Sequence, residues 1–262
     1  MSTSSEPSET VAVIGAGRVG GVLAGALGQA GFDVRGPLAR TDVIPASDII
    51  LLCVPDAEIA TVARKARPRT ALLGHVSGAT GLDEVDFSIH PLQTITGGES
   101  PEIFHGIGAA VAGRTPEALA VAQRVAEALG ARPFRVDDAH RTSYHSAASL
   151  ASNLLLVALD AAERMALAAG IRDPRKLLAP LVERTVENWT AHGAAAALTG
   201  PIARGDEETV LRQRAAVVDA APELAELFDR LCDGARRLAR ESDAGDADLP
   251  DRQRRARGKA LA

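Results

Sequence analysis

The sequence contains few residues of several kinds that proteins use for chemistry. Cysteine occurs twice, at Cys53 and Cys232, and two cysteines so far apart exclude a disulfide framework and a zinc knuckle. Aromatic residues make up 3% of the chain, too few for the stacking surfaces of single-strand binding proteins. Only three of the 29 basic residues are lysines, so a catalytic lysine would have to be Lys65, Lys176 or Lys259.

The chain also lacks long apolar runs and an excess of positive charge. No apolar run approaches the ~20 residues that cross a bilayer, and the segment from Met1 to Thr10 has no basic and apolar layout of a secretion signal. A net charge of -5 argues against a general nucleic-acid binder. We therefore expect a cytoplasmic protein that binds neither a membrane nor a nucleic acid.

The hydrophobic pattern changes once along the 262 residues, which predicts two domains. Short apolar runs alternate with helical periodicity up to about residue 136, as in crossover units on a mainly parallel sheet. Beyond it the strand signal stops. The predicted strands cover residues 11–14, 32–35, 49–54, 71–76, 87–89, 107–111 and 133–136. The predicted helices cover residues 18–30, 56–66, 116–129, 142–170, 174–191, 207–220 and 222–240.

A glycine-rich loop follows the first predicted strand. It reads Gly15-Ala16-Gly17-Arg18-Val19-Gly20 and opens the first helix. In the dinucleotide-binding pattern the first glycine allows a tight turn, the second admits a pyrophosphate, and the third lets helix and strand pack closely. The loop predicts a dinucleotide site and a Rossmann-like, doubly wound α/β domain over residues 10–136. The remaining regions are predicted as an all-helical domain over 137–240 and disordered tails at 1–9 and 241–262.

The end of the second strand indicates which dinucleotide is bound. NAD and FAD proteins usually place a carboxylate there for the ribose hydroxyls. Here Arg35 and Arg40 precede Asp42, and Asp33 comes early in the strand. Two cations suit a 2′-phosphate, so the sequence favours NADP over NAD, unless both arginines are simply solvated.

Four segments resemble one protein family. They are residues 51–56 (LLCVPD), 88–94 (SIHPLQT), 144–153 (YHSAASLASN) and 197–206 (ALTGPIARGD). Together they are similar to oxidoreductases that pair a Rossmann-like domain with the domain of unknown function DUF2520. The layout is more distantly similar to ketopantoate reductases, prephenate dehydrogenases and 6-phosphogluconate dehydrogenase. The resemblance implies an NADP-linked reductase or dehydrogenase whose cofactor also contacts the strand-end residues Val54 and Pro55.

Two candidate catalytic residues follow strands of the first domain. His90 opens a His-Pro segment similar to the one in prephenate dehydrogenases, and a histidine can exchange a proton with a substrate oxygen near neutral pH. Ser77 follows another strand and should reach the same sheet edge. The alternatives are a structural histidine before Pro91 and an ordinary turn serine.

Three polar residues recur at helical spacing in the first long predicted helix. His145, Ser149 and Asn153 are spaced i, i+4 and i+8, which places them on one stripe. In related dehydrogenases a Lys-x-x-x-Asn pair begins the comparable helix, and the lysine donates the proton. This chain has no lysine near it, so we expect His145 or His90 to donate the proton, with Asn153 also catalytic and Ser149 contacting substrate. Core hydrogen bonding is the alternative.

An arginine in a glycine-containing loop is the predicted substrate anchor. Arg204 could bind a carboxylate through two hydrogen bonds, whereas nearby Asp206 fits the N-cap of the next helix. The alternatives for Arg204 are an ion pair with Asp206 and a place in an interface. His140 and His145, five residues apart, share no helical face, so we expect no metal site.

The leading hypothesis is therefore reduction of a small keto acid, ketopantoate most specifically, by NADPH in the cleft between the domains. One alternative is oxidation of a hydroxylated acid, as in prephenate dehydrogenases. Another is a non-catalytic NADP-binding sensor or interaction protein, which the missing lysine favours. The Ala/Leu-rich helical domain predicts a homodimer, because such a surface hides its apolar faces by pairing about a twofold axis.

Overall fold

The computed structural model describes residues 8–247 and divides the chain into two compact units, one ending at Leu154 and the other beginning at Leu155. The first unit is a sheet with helices on both faces, and the second is helical. The predicted fold class is confirmed. Residues 1–7 and 248–262 of the predicted tails lie outside the described part of the chain.

The sheet of the described chain has seven strands in the order β2-β1-β3-β4-β5-β6-β7. Its strands are β1 (Thr10–Ile14), β2 (Asp33–Leu38), β3 (Ile49–Leu52), β4 (Leu72–His75), β5 (Phe87–Pro91), β6 (Gly108–Gly113) and β7 (Arg132–Arg135). Strand β6 runs antiparallel to β5, and all other neighbouring strands are parallel. The carboxyl ends of β1, β3, β4 and β5 therefore meet at one edge.

Alternation along the strands divides the core between the two faces of the sheet. Val11 and Leu51 pack on one face with α1 (Arg18–Gln29) and α3 (Pro116–Ala128). Ala12 and Leu52 pack on the other face with α2 (Asp56–Ala66). Successive strand residues point to opposite faces, so the fully buried sequence of β3 supplies both cores.

The long helix predicted over residues 142–170 is broken in the structure. It forms α4 (Arg141–Ala151) and α5 (Leu155–Ala168). The backbone leaves helical geometry at Ser152, with φ -128° and ψ -94°, and the Ser152 hydroxyl donates to the Ala148 carbonyl at 2.7 Å. Serine and asparagine hydrogen-bond to nearby backbone and so compete with helix continuation. Asn153 consequently lies in the turn and does not share one helical stripe with His145 and Ser149.

The second unit contains the rest of the described helices. They are α6 (Pro174–His192), the short α7 (Ala194–Ala197), α8 (Glu207–Ala220) and α9 (Ala225–Ala247). Asp206 caps α8 as predicted, because its carboxylate accepts from the Thr209 N–H at 3.1 Å. Helix α9 continues past residue 240 into the segment predicted as a tail. Within residues 8–247, no helix combines the length and apolarity that crossing a membrane requires.

Candidate functional site

The glycine-rich loop is packed tightly between the ends of neighbouring strands. Gly15 has φ +120°, and a Cβ atom there would lie 2.2 Å from the Cys53 carbonyl oxygen. A Cβ atom on Gly20 would lie 1.8 Å from the Gly15 carbonyl oxygen. Both positions therefore require glycine, for the turn and for the close approach of α1 that the sequence pattern predicts.

Gly17 occupies the open side of the same loop. A Cβ atom there would have no neighbour within 4 Å. Gly17 is the N-cap of α1 without a side-chain cap, and the first turn of the helix carries no acidic residue. The first backbone N–H groups and the positive end of the helix dipole are therefore available to an anion. A dinucleotide pyrophosphate fits this arrangement of open space and amide donors.

The two arginines predicted to select NADP have different surroundings. Arg35 lies within β2 and donates to the Ala46 carbonyl at 2.9 Å, with its guanidinium also 3.6 Å from the Asp33 carboxylate. Arg40 follows the carboxyl end of β2 and pairs with Glu58 in the first turn of α2. Only Arg40 thus lies beyond the strand end, where a ribose phosphate would be bound.

The loop after β3 reaches the same edge. Val54 is half-buried and packs into the core beside α2. Pro55 is the exposed N-cap residue of α2. Both residues follow β3, which neighbours β1, so they lie at the same edge of the sheet as the glycine-rich loop, and their contact with a cofactor stays a prediction.

The loop after β4 is held by its own side chains. His75 is fully buried, and its two ring nitrogens contact the Gly81 carbonyl at 3.0 Å and the Ser77 N–H at 3.2 Å. Burial lowers the pKa of His75, which favours a neutral ring. The Ser77 hydroxyl oxygen accepts from the N–H groups of Ala79 and Thr80 at 3.1 and 2.9 Å. Ser77 therefore shapes the turn that presents Gly78.

A cluster of His90, Tyr144 and His145 lies against Gly78. The Nδ1 atom of His90 is 2.6 Å from the Tyr144 hydroxyl oxygen. The ring centroids of His90 and His145 are 6.1 Å apart. A Cβ atom on Gly78 would lie 2.8 Å from atoms of both histidine rings. Glycine therefore admits two imidazoles where a larger residue would separate them.

Burial keeps the central pair of this cluster uncharged. It lowers the pKa of His90 to about 4, with smaller contributions from the neighbouring His145 and Arg141. It also raises the pKa of Tyr144 to about 12, against a small opposing effect of Arg141. At neutral pH a neutral imidazole thus faces a protonated phenol.

Arg141 fixes the start of α4 against the sheet. It is only 4% exposed. Its Nε donates to Asp138 at 3.0 Å, and its Nη2 donates to the Ser88 hydroxyl on β5 at 3.1 Å. Asp138 also accepts from the Leu82 N–H at 3.4 Å. These bonds set the rotation of α4 that brings Tyr144 and His145 to His90.

Comparison with known protein families supports the resemblance seen in the sequence. The domain of unknown function DUF2520 matches residues 107–234. The match confirms the family resemblance and begins at β6, so it includes α4 with Tyr144 and His145.

Solved structures share the fold of this chain. A proposed NADP oxidoreductase from Bacteroides fragilis has TM-score 0.75 and 21% identity, covering 88% of this chain and 98% of its own. A Thermotoga maritima protein has TM-score 0.73 and 22% identity, covering 89% and 99%. A Myxococcus stipitatus imine reductase in complex with NADP+ has TM-score 0.56 and 18% identity, covering 90% and 94%. No protein of curated function matches the sequence.

Three further residues were predicted to act in the site. Ser149 is half-buried one turn along α4 from His145, and Asn153 is exposed in the turn after that helix. Arg204 belongs to the second unit, exposed at the end of a 3-10 helix (Ile202–Arg204). Their catalytic and substrate-binding roles stay predictions.

Sequence reasoning missed Tyr144, Arg141 and Gly78. A signal for the first two was present, because Arg141, Tyr144 and His145 are spaced i, i+3 and i+4 and therefore share a helix face. Tyr144 is also the single tyrosine of the chain. No sequence pattern indicated Gly78, since the need for glycine there arises from its contact with two histidines that are distant in the sequence.

Proposed function

We propose that the protein is an NADP-dependent oxidoreductase that reduces the carbonyl group of a small keto acid. The observation that carries this proposal is the glycine-rich loop. Gly15 and Gly20 are required by packing, while Gly17 leaves open space before the uncapped start of α1. This division of roles is the one expected of a pyrophosphate-binding loop.

The cluster of His90, Tyr144 and His145 supports a reaction at the same sheet edge. When bound, the reduced nicotinamide supplies a hydride to the carbonyl carbon. The protein must then supply a proton to the carbonyl oxygen. His90, near the carboxyl end of β5, is the residue proposed to deliver it, and its half-buried ring limits access of water.

Cofactor binding is tested by titrating the protein with NADPH and NADH while following nicotinamide fluorescence. Gly17→Asp should abolish binding, because its carboxylate would repel the pyrophosphate. The fold should survive, since Gly17 has open space, and aspartate is a favourable N-cap residue. Gly21→Ala, an exposed position of α1 that also has no neighbour within 4 Å, is the matched control. Equal binding by Gly17→Asp and the unmodified protein would contradict the proposed loop.

Turnover is tested by following NADPH oxidation with a panel of small keto acids that includes ketopantoate. Oxidation with one acid supports the proposed reduction. Tight NADPH binding without turnover of any acid would instead support the non-catalytic sensor. Reduction of NADP by hydroxylated acids alone would support the oxidative alternative, for which the His90-Pro91 segment is the sequence argument.

We also propose that the helical unit pairs with that of a second copy of this chain. Large apolar side chains of α5 and α6 are exposed, among them Leu156, Leu177, Leu181 and Trp189. A groove of about 600 Å³ runs between these two helices and is lined mainly by leucine, alanine and valine. A twofold axis would bring the same apolar surface of each copy together.

A further inference from the structure

Tyr144 lies in the candidate site, although the proposed function has not yet given it a role. Its hydroxyl oxygen is 2.6 Å from the His90 Nδ1 atom, a short distance for this type of hydrogen bond. The two rings are nearly perpendicular, at 84°, with centroids 5.6 Å apart. This geometry aims the phenol O–H at the edge of the imidazole.

We propose that Tyr144 and His90 form a proton relay, in which His90 donates to the substrate oxygen and Tyr144 resupplies the imidazole. This inference rests on the proposed reductase function and identifies the source of its proton. Tyr144 acts through His90 and is therefore a positioning residue. The relay would replace the lysine that related dehydrogenases place near the start of the comparable helix.

The hydrogen bond sets the position of the proton on His90. A neutral imidazole has one N–H and one acceptor nitrogen. When the phenol donates to Nδ1, that nitrogen is the acceptor, and the proton of His90 must be on Nε2. The Nε2–H group is then the one that can face a substrate oxygen.

The proton transfer balances without any further reactant. As the hydride adds to the carbonyl carbon, the His90 Nε2–H bond breaks and an O–H bond forms on the substrate. In the same step the Tyr144 O–H bond breaks and an Nδ1–H bond forms. His90 ends neutral with its proton on Nδ1, Tyr144 ends as a phenolate, and a proton from solvent later restores both.

Charged and titratable groups surround the relay from several elements. Helix α4 contributes Arg141 and His145, β4 contributes His75, and α2 contributes Asp56. Burial raises the pKa of Tyr144 to about 12, and the Arg141 guanidinium opposes that rise, so Arg141 lowers the cost of the phenolate that the relay produces. Arg141 is held in place by Asp138 and Ser88, so its charge is available without rearrangement.

The first test reads the proton position and requires no substrate. Histidine-selective ¹⁵N labelling and long-range ¹H–¹⁵N spectra distinguish the two tautomers, and His90→Gln assigns the His90 signals. We expect His90 to be neutral at pH 7 with its proton on Nε2. Removing the phenol in Tyr144→Phe should convert it to a mixture of tautomers. A proton on Nδ1 in the unmodified protein, or spectra that Tyr144→Phe leaves unchanged, would overturn the relay.

The second test uses the keto acid that the turnover assay identifies. Tyr144→Phe should lower kcat about 100-fold, with KM changed less than about threefold. The unmodified protein should show a flat kcat between about pH 6 and 9. In Tyr144→Phe only the protonated imidazole can donate, so kcat should rise as the pH falls from 7 towards 5. Wild-type kcat and pH dependence in Tyr144→Phe would contradict the relay.

Phe134→Leu is the control for lost packing. The ring centroids of Phe134 and Tyr144 are 5.9 Å apart, and this substitution removes that ring contact while the Tyr144 hydroxyl stays in place. This variant should keep the flat pH profile. Failure of the relay is distinguishable from failure of the proposed function. Without NADPH binding the function fails, whatever the His90 spectra show. With binding and turnover, but no effect of Tyr144→Phe, the function stands and the relay is wrong.

Discussion

At the scale of single residues, the half-buried imidazole of His90 couples stability to pH. Its pKa in the folded protein is about 4, below the ordinary 6.5 of an unfolded histidine. Between these values the unfolded chain binds a proton that the folded chain does not, so stability falls as the pH falls. The contribution of His90 is fully present above pH 6.5 and is lost as the pH drops through 4.

We therefore expect the free energy of unfolding to decrease from pH 6.5 to 4, with His90 contributing on the order of 3 kcal/mol. Urea denaturation at a series of pH values measures it. His90→Gln should flatten this dependence but not remove it, because burial also lowers the pKa of His75. His192→Gln, at an exposed position of α6, should leave the dependence intact. A His90→Gln profile parallel to that of the unmodified protein would refute the coupling.

The two arginines near β2 give a matched pair for cofactor choice. Arg40→Ala should weaken NADPH binding about 10-fold or more relative to NADH, because it removes a cation beside the position expected for the 2′-phosphate. Arg35→Ala should change the ratio of NADPH affinity to NADH affinity by less than about twofold, since Arg35 lies within β2 and only Arg40 follows the carboxyl end of that strand. Parallel NADPH and NADH titrations measure both. An unchanged ratio in Arg40→Ala would exclude Arg40 as the selecting residue.

At the residue level, the sequence predicts local backbone geometry where the cause of that geometry is local. The glycine-rich loop is an example, since Gly15, Gly17 and Gly20 act within one strand–helix connection. The hydrogen bond between His90 and Tyr144 joins positions 54 residues apart, and no local sequence pattern predicts it. His90 and His145 were proposed separately, and only the fold shows that Gly78 brings their rings together.

At the scale of elements, Arg141 attaches α4 to the sheet. Arg141→Ala would leave the Asp138 carboxylate and the Ser88 hydroxyl without this hydrogen-bond donor, and the Ser88 hydroxyl is buried in the core. We expect a loss of about 2 to 3 kcal/mol in the free energy of unfolding, since half of the Asp138 side chain remains in solvent. Urea denaturation measures it.

The control for Arg141 is Arg184→Ala. Arg184 also pairs with a carboxylate three residues away, Glu187, but both side chains are largely exposed. We expect a change below about 0.5 kcal/mol, because solvent screens such a pair. If the two variants lost equal stability, burial of Arg141 would not be the cause of its effect.

The elements themselves followed closely from hydrophobic periodicity. Every predicted strand is present, and α2 and α8 have the predicted bounds. The error was the helix over 142–170, because alanine and leucine on both sides of Ser152 and Asn153 keep the helical period through the turn. The Ser152 hydroxyl bonds to the backbone at Ala148 and also donates to the Asn153 side chain, and these local bonds outweighed that propensity. The antiparallel direction of β6 was likewise absent from the pattern, since alternation does not encode strand direction.

At the scale of the whole molecule, the proposed dimer predicts a particle of twice 27.1 kDa in sedimentation equilibrium. Leu181→Asp should convert it to a monomer, because it places a charge in an apolar surface that is 64% exposed in the single chain. Val43→Asp is the control, since Val43 lies in the first unit and is 82% exposed. A dimer that persists in Leu181→Asp, or a monomer before any substitution, would contradict pairing through this surface.

The reversed direction of β6 also has a consequence for divergence among proteins of this fold. A parallel β6 would require the chain after Pro91 to return to the opposite edge through a crossover. Instead residues 92–107 begin and end at one edge, and within them Gly97 comes beside Arg18 at the start of α1. A connection anchored at both ends can gain, lose or exchange residues without breaking the ladder of the sheet. The direction of β6 thus makes this connection a place where related proteins can differ while the sheet stays constant.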